Sequence, residues 1–182
     1  MTIACLGWGS LIWNPRELPI RGGWRKDGPA MPIEFVRKSD NGRITLVLSA
    51  KAAAVTVLWA ELAVSSLDEA RDVLARCEGI SAKNAARLIG TSQSSPPQQV
   101  AAWAKEKSLT GVVWTALGAR FPGITGEPSS EQVIAYLKGL ASPVKELAEE
   151  YIRKAPRQIR TAYRERIEHS LEWTPLEPAA AN

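Results

Sequence analysis

The spacing of apolar residues changes period along the chain, and each change marks a new kind of element. Ile3 to Leu6 is a continuous apolar run that ends at Gly7, the pattern of a buried strand delivering a loop. Ile33 to Arg37 follows Pro32, and Asp40-Asn41-Gly42 separates it from Ile44 to Leu48, where apolar residues recur at every second position. That pairing predicts a β-hairpin. Val55 to Leu62 continues β-branched and apolar through Trp59, and Glu61 interrupts it near its end. Three such strands in succession predict an antiparallel meander.

Helical spacing then takes over. Ser66 and Glu69 stand at capping-box spacing, Leu67, Ala70, Leu74 and Cys77 share one face, and Gly79 sits where a C′ glycine closes a helix. A short helix is expected over Lys83 to Ile89 and another over Gln98 to Lys107, joined by the polar connector Ser92 to Pro97. Gly111 to Thr115 reads as one late buried strand. Because helices separate it from the earlier strands, it is expected to insert beside one of them, which makes the sheet mixed. After Pro122 the pattern is helical, with stripes of Val133, Leu137 and Leu140, then Val144, Leu147, Ala148, Tyr151 and Ile152, then Ile159, Tyr163 and Ile167. The outer faces carry Lys145, Glu149, Arg153, Lys154, Arg160, Arg164 and Arg166, and the apolar stripes are expected to pack on the sheet. The organisation predicted is a domain over residues 1–120, a helical extension packed on it over 121–173, and a tail without periodicity over 174–182.

Composition narrows the function. The 182 residues, 45% of them hydrophobic, suffice for one core. Lys plus Arg number 23 against 19 Asp plus Glu, a net +4 that is too dilute for a dedicated nucleic-acid binder. Two Cys and one His, at no metal-ligand spacing, exclude a disulfide framework and a Cys/His zinc site, so no metal is expected. No apolar run reaches the roughly 18 residues of a membrane span. The first residues, with no basic segment before a long apolar stretch, do not read as a signal peptide, and a cytoplasmic location is expected. There Cys5 and Cys77 would pack as small hydrophobes.

Two places carry candidate chemistry. Gly7-Trp8-Gly9-Ser10-Leu11 follows the first strand directly, and glycines around an aromatic permit a turn whose successive N–H groups face outward as an anion-binding nest. The Gly-Lys-Ser/Thr of a phosphate loop is missing. Glu78 stands at the end of the helix that begins at Ser66, where the helix dipole disfavours an anion and raises its pKa toward the range of a general base. Pairing with Arg76 or Lys83 is the plain alternative. Glu61, flanked by apolar residues in its strand, is the rival acid, and must point outward or be paired. His169 lies far along the chain from the loop, and Ser10 has no nucleophile-elbow context.

Gly7-Trp8-Gly9-Ser10-Leu11-Ile12-Trp13-Asn14-Pro15 resembles the YGSL-type opening motif of the gamma-glutamylcyclotransferase superfamily, most nearly its glutathione-acting branch. Phe35 to Ser39, Gly42 to Leu48 and Val57 to Leu62 look like that family's next strands, and Arg76-Cys77-Glu78-Gly79-Ile80 looks like the segment carrying its catalytic glutamate. The likeness spans roughly residues 1–117 and is weaker over Gly111 to Thr115. Trp8 stands where the family usually has Tyr, and the helices after Pro122 are long for it.

The resemblance implies an α+β fold, a small mixed β-barrel with added C-terminal helices, and a cofactor-free reaction on a small gamma-glutamyl substrate. The substrate's α-amine attacks its own γ-carbonyl, releasing 5-oxoproline and an amine or peptide. Glu78 would move the proton, and Gly7, Trp8, Gly9, Ser10 and Leu11 would bind the substrate. The alternative is a non-catalytic module whose barrel pocket holds a small ligand or a protein partner. Oligomeric state is left open, and the near-balanced charges of the C-terminal helices argue against nucleic acid.

Overall fold

The computed structural model describes residues 2–176, which form a mixed α+β protein of two sheets and six helices. No closed barrel is shown among them. The chain divides into two compact units, Met1–Ala30 with Thr56–Leu117, and Met31–Val55 with Gly118–Asn182.

The first unit is built on β1 (Ile3–Gly7), whose five residues are all buried. A strand apolar on both faces needs a neighbour on each edge. β6 (Leu58–Leu62) pairs antiparallel with it, placing Ile3 opposite Leu62, Cys5 opposite Ala60 and Gly7 opposite Leu58. β8 (Gly111–Thr115) lies parallel on the other edge, with Cys5 opposite Val113. The late strand thus inserts beside an early one, and the chain between them, three helices included, supplies the crossover that a parallel pair requires. β2 (Ile20–Arg25) and β7 (Ile89–Thr91) complete the order β2-β6-β1-β8-β7. β2 has no alternating apolar signature, being Ile-Arg-Gly-Gly-Trp-Arg on an exposed edge.

α1 (Leu67–Cys77) covers one face of this sheet, burying Ala70, Val73, Leu74 and Cys77 against Ile3, Cys5, Leu62 and Val113. Ser66 caps its start by accepting from the Glu69 N–H, while the Glu69 carboxylate reaches Ser65. It ends in a Schellman motif: Gly79 N–H donates to the Arg76 carbonyl and Ile80 N–H to the Ala75 carbonyl. α2 (Ala82–Leu88) and α3 (Gln98–Glu106) follow. Trp103 of α3 meets Trp59 edge-on at 5.3 Å, and Asp27 ties both, accepting from the Trp59 indole at 2.9 Å, from Lys107 at 2.7 Å and, through its carbonyl, from Trp103 at 2.9 Å.

In the second unit β3 (Ala30–Lys38), β4 (Ile44–Leu48) and β5 (Ala54–Thr56) form a sheet in the order β4-β3-β5. The predicted hairpin is present, with Ile33 opposite Leu48 and Phe35 opposite Leu46. The expected meander is not. Val55 to Leu62 breaks at Val57, whose carbonyl and N–H bond to Gly28 and Pro29, so its halves join different sheets. α4 (Ser130–Lys138), α5 (Val144–Lys154) and α6 (Ala162–Leu171) follow, with α5 on β4, Tyr151 edge-on to Phe35, and α4 on α6.

Arg164 corrects the expected outer face. Only 2% exposed, its guanidinium donates to the carbonyls of Ala155, Pro156 and Ile159 and to Glu168 at 2.6 Å, so it ties down the turn after α5 rather than facing water. The segment expected to be a tail from 174 is held at its start, where Leu176 N–H donates to the Arg153 carbonyl and Arg153 Nε to that of Thr174. Residues 177–182 lie outside the described residues.

Gly79 holds φ +67° with nothing within 4 Å of where a Cβ would stand. Gly79→Ala is therefore expected to lose about 1 kcal/mol from backbone strain alone, measured by urea denaturation with an unchanged m-value.

Candidate active site

The motif loop and the Glu78 helix end both belong to the first unit. Gly7 closes β1, Trp8 is buried, Gly9 precedes a 3₁₀ turn over Ser10–Ile12, and Leu11 points into the apolar cluster that contains Cys5 and Cys77. The turn is closed by Ile12 N–H to the Gly9 carbonyl at 3.0 Å and Asn14 N–H to that of Ser10 at 2.8 Å. The first N–H groups of such a turn, those of Ser10 and Leu11, have no acceptor within it.

A tryptophan covers the start of this loop. A Cβ on Gly7 would come within 2.4 Å of the Trp24 ring, so only glycine fits there. Trp24 lies on β2, which the sequence reading did not contain, and its indole N–H is buried without a partner. A buried donor with nothing to donate to costs roughly 1–3 kcal/mol. The signal in the sequence is Trp24 itself, directly after the Gly22-Gly23 pair, in a segment without apolar alternation.

Glu78 is the C-cap of α1, one residue beyond its last turn, and its N–H bonds to the Leu74 carbonyl at 3.0 Å. Its carboxyl is half-buried and its pKa is raised, first by burial, with Arg16 opposing. Neither Arg76 nor Lys83 forms an ion pair with it among the described residues. Arg16 belongs to the segment after the motif loop, at φ 55°, and the next residue, Glu17, bonds through its backbone to the Cys77 thiol. The Glu78 carboxylate also adds to the burial that pushes the Cys5 thiol up. Cys5 and Gly7 are two residues apart on one strand and so face the same side of the sheet. Cys77, next to Glu78, shares an apolar cluster with Cys5 and Leu11, and Trp24 packs against it, so the end of α1 and the motif loop meet on that side of β1.

The other candidates separate from this group. Glu61 pairs with Arg21 at 3.1 Å on the β2 edge, satisfied by an ion pair. His169 is exposed on α6, in the second unit. Among the described residues no group of three or more His, Cys, Asp or Glu could hold a metal ion, and no helix is long and apolar enough to cross a membrane. No family model matches the chain, and neither does any curated protein.

The raised pKa of Glu78 makes the stability of the fold depend on pH. The native carboxyl holds its proton more tightly than the unfolded chain does, so stability falls as pH rises from the ordinary carboxyl range through the raised native value. Glu78→Gln is expected to be more stable than the native protein at pH 7, and the difference should close at about pH 4 and below, as followed by denaturant titration at both pH values.

Proposed function

We propose that the chain is a gamma-glutamylcyclotransferase-like enzyme that releases 5-oxoproline from a small gamma-glutamyl compound, with the five-stranded sheet as part of the small barrel that the resemblance implies. One observation supports this most: Glu78, half-buried with its pKa raised by burial, caps the helix whose Leu74 and Cys77 share an apolar cluster with Leu11 of the motif loop.

The chemistry asked of Glu78 is proton transfer. An α-amine with a pKa near 7.7–8 is largely protonated at neutral pH and must lose a proton to attack. A carboxylate with a raised pKa accepts that proton more readily than an ordinary one, and can return it to the leaving nitrogen. The N–H groups of Ser10 and Leu11 would hold the substrate's carboxylate or the oxygen that gains charge as the ring closes. Because attack is intramolecular, holding the substrate folded with amine and γ-carbonyl in contact supplies much of the rate. The unpartnered indole N–H of Trp24 is a third donor on that side of the sheet.

The deciding measurement is 5-oxoproline release from glutathione, gamma-glutamyl amino acids and gamma-glutamyl amines. Glu78→Gln should lower turnover by roughly 10² to 10⁴ with the fold retained, and Glu61→Gln should change it little. A larger loss at Glu61, or a loss under about threefold at Glu78, overturns the assignment.

A pocket that binds without turnover would release no 5-oxoproline from any of the panel yet still be stabilised by ligand. A gamma-glutamyl ligand at 100 times its Kd should add about 2.7 kcal/mol to the native protein and nothing to Gly9→Val. Equal stabilisation of both would show that the loop is only a turn.

A further inference from the structure

The second unit contains a cavity of about 120 Å³, roughly the room taken by a few water molecules. Two carboxylates line it, and all their described partners are neutral. Glu34, 3% exposed on β3, accepts from Phe35 N–H at 2.9 Å, from Tyr163 N–H at 3.1 Å and from the Thr161 hydroxyl. Glu127 accepts from the Ser49 hydroxyl and from Ala50 N–H, each at 2.8 Å. A carboxylate offers about four acceptor sites, so both retain capacity. Burial raises the Glu34 pKa and the charge of Glu127 adds to it.

Buried charges are ordinarily paired with a countercharge, and here none of the cavity's own cations provides one. Arg160 directs Nε and Nη2 to Glu165 at 3.2 and 3.0 Å. Lys51 is exposed and forms no ion pair among the described residues. Ala52, Ala53 and Val55 supply an apolar wall. The lining therefore holds one buried and one half-buried carboxylate, with a short apolar wall and cations among its exposed residues.

We propose that this cavity binds a small zwitterion, an amino acid or short amino-carboxylate, with its ammonium between Glu34 and Glu127 and its carboxylate toward Lys51. A simple carboxylate would set an anion against two acids, and a diamine would set its second ammonium against Lys51 and Arg160. The proposal stands independently of the reaction assigned to the first unit, since none of its residues belongs to that unit.

The test is calorimetric titration of the full chain with 4-aminobutyrate, butyrate and 1,4-diaminobutane. 4-Aminobutyrate is expected to bind, and the other two at least about tenfold more weakly. Lys51→Ala, at an exposed position that leaves the fold intact, should weaken 4-aminobutyrate by about three- to tenfold. Glu127→Gln should weaken it further, with circular dichroism confirming the fold. Absence of binding at about 20 mM, equal binding of butyrate or the diamine, or unchanged or tighter binding by Lys51→Ala would each overturn the proposal. Tighter binding would identify Lys51 as the cavity's own countercharge.

Discussion

The two-sided pairing of β1 is the constraint on which the first unit rests. A five-residue strand buried along its whole length has no face or edge left for water, so every backbone group on it must find a partner in a neighbouring strand. That requirement draws β6 in from one part of the sequence and β8 from another, and their arrival fixes the plane on which α1 packs. The position of Glu78 follows, because α1 is anchored through Leu74 and Cys77 to the same face that displays Cys5.

Local chemistry at the end of β1 is governed by size as much as by charge. Cys5, Gly7 and Ala60 are small, and the bulk over them comes from Trp24 and from the end of α1. A carboxyl placed against such a surface loses hydration without gaining a strong ion pair, which is why its proton is held tightly. The cavity of the second unit uses the opposite device: Glu34 is desolvated more completely but receives three hydrogen bonds in compensation.

Elements with a strong local signal were legible in the sequence. The run ending at Gly7, the alternation from Ile44 to Leu48, and Ser66 with Gly79 at the ends of α1 each declare themselves within a few residues. What escaped was set by distant partners. β2 is a strand because β6 has an open edge, and nothing in Ile-Arg-Gly-Gly-Trp-Arg announces that. Val57 ends a strand because the backbone of Gly28 and Pro29 captures its polar groups. Arg164 is spaced like a surface residue on α6, and only the unsatisfied carbonyls after α5 explain its burial. For the site, Glu78 and the glycine loop could be picked out by position, whereas the unpartnered indole of Trp24 and the paired acids Glu34 and Glu127 depend on contacts that no spacing rule encodes.

Neither compact unit is a continuous stretch of chain, and this bears on how the protein is made. On the ribosome the β3–β4 hairpin emerges long before α4, α5 and α6, the helices of its own unit, and β1 emerges long before β8. At about 5–20 residues per second, these waits are on the order of ten seconds. During them a fully apolar strand and a hairpin bearing Phe35 and Val36 are without their final cover. Each unit is thus completed only when its last elements have emerged, β8 for the first and α6 for the second.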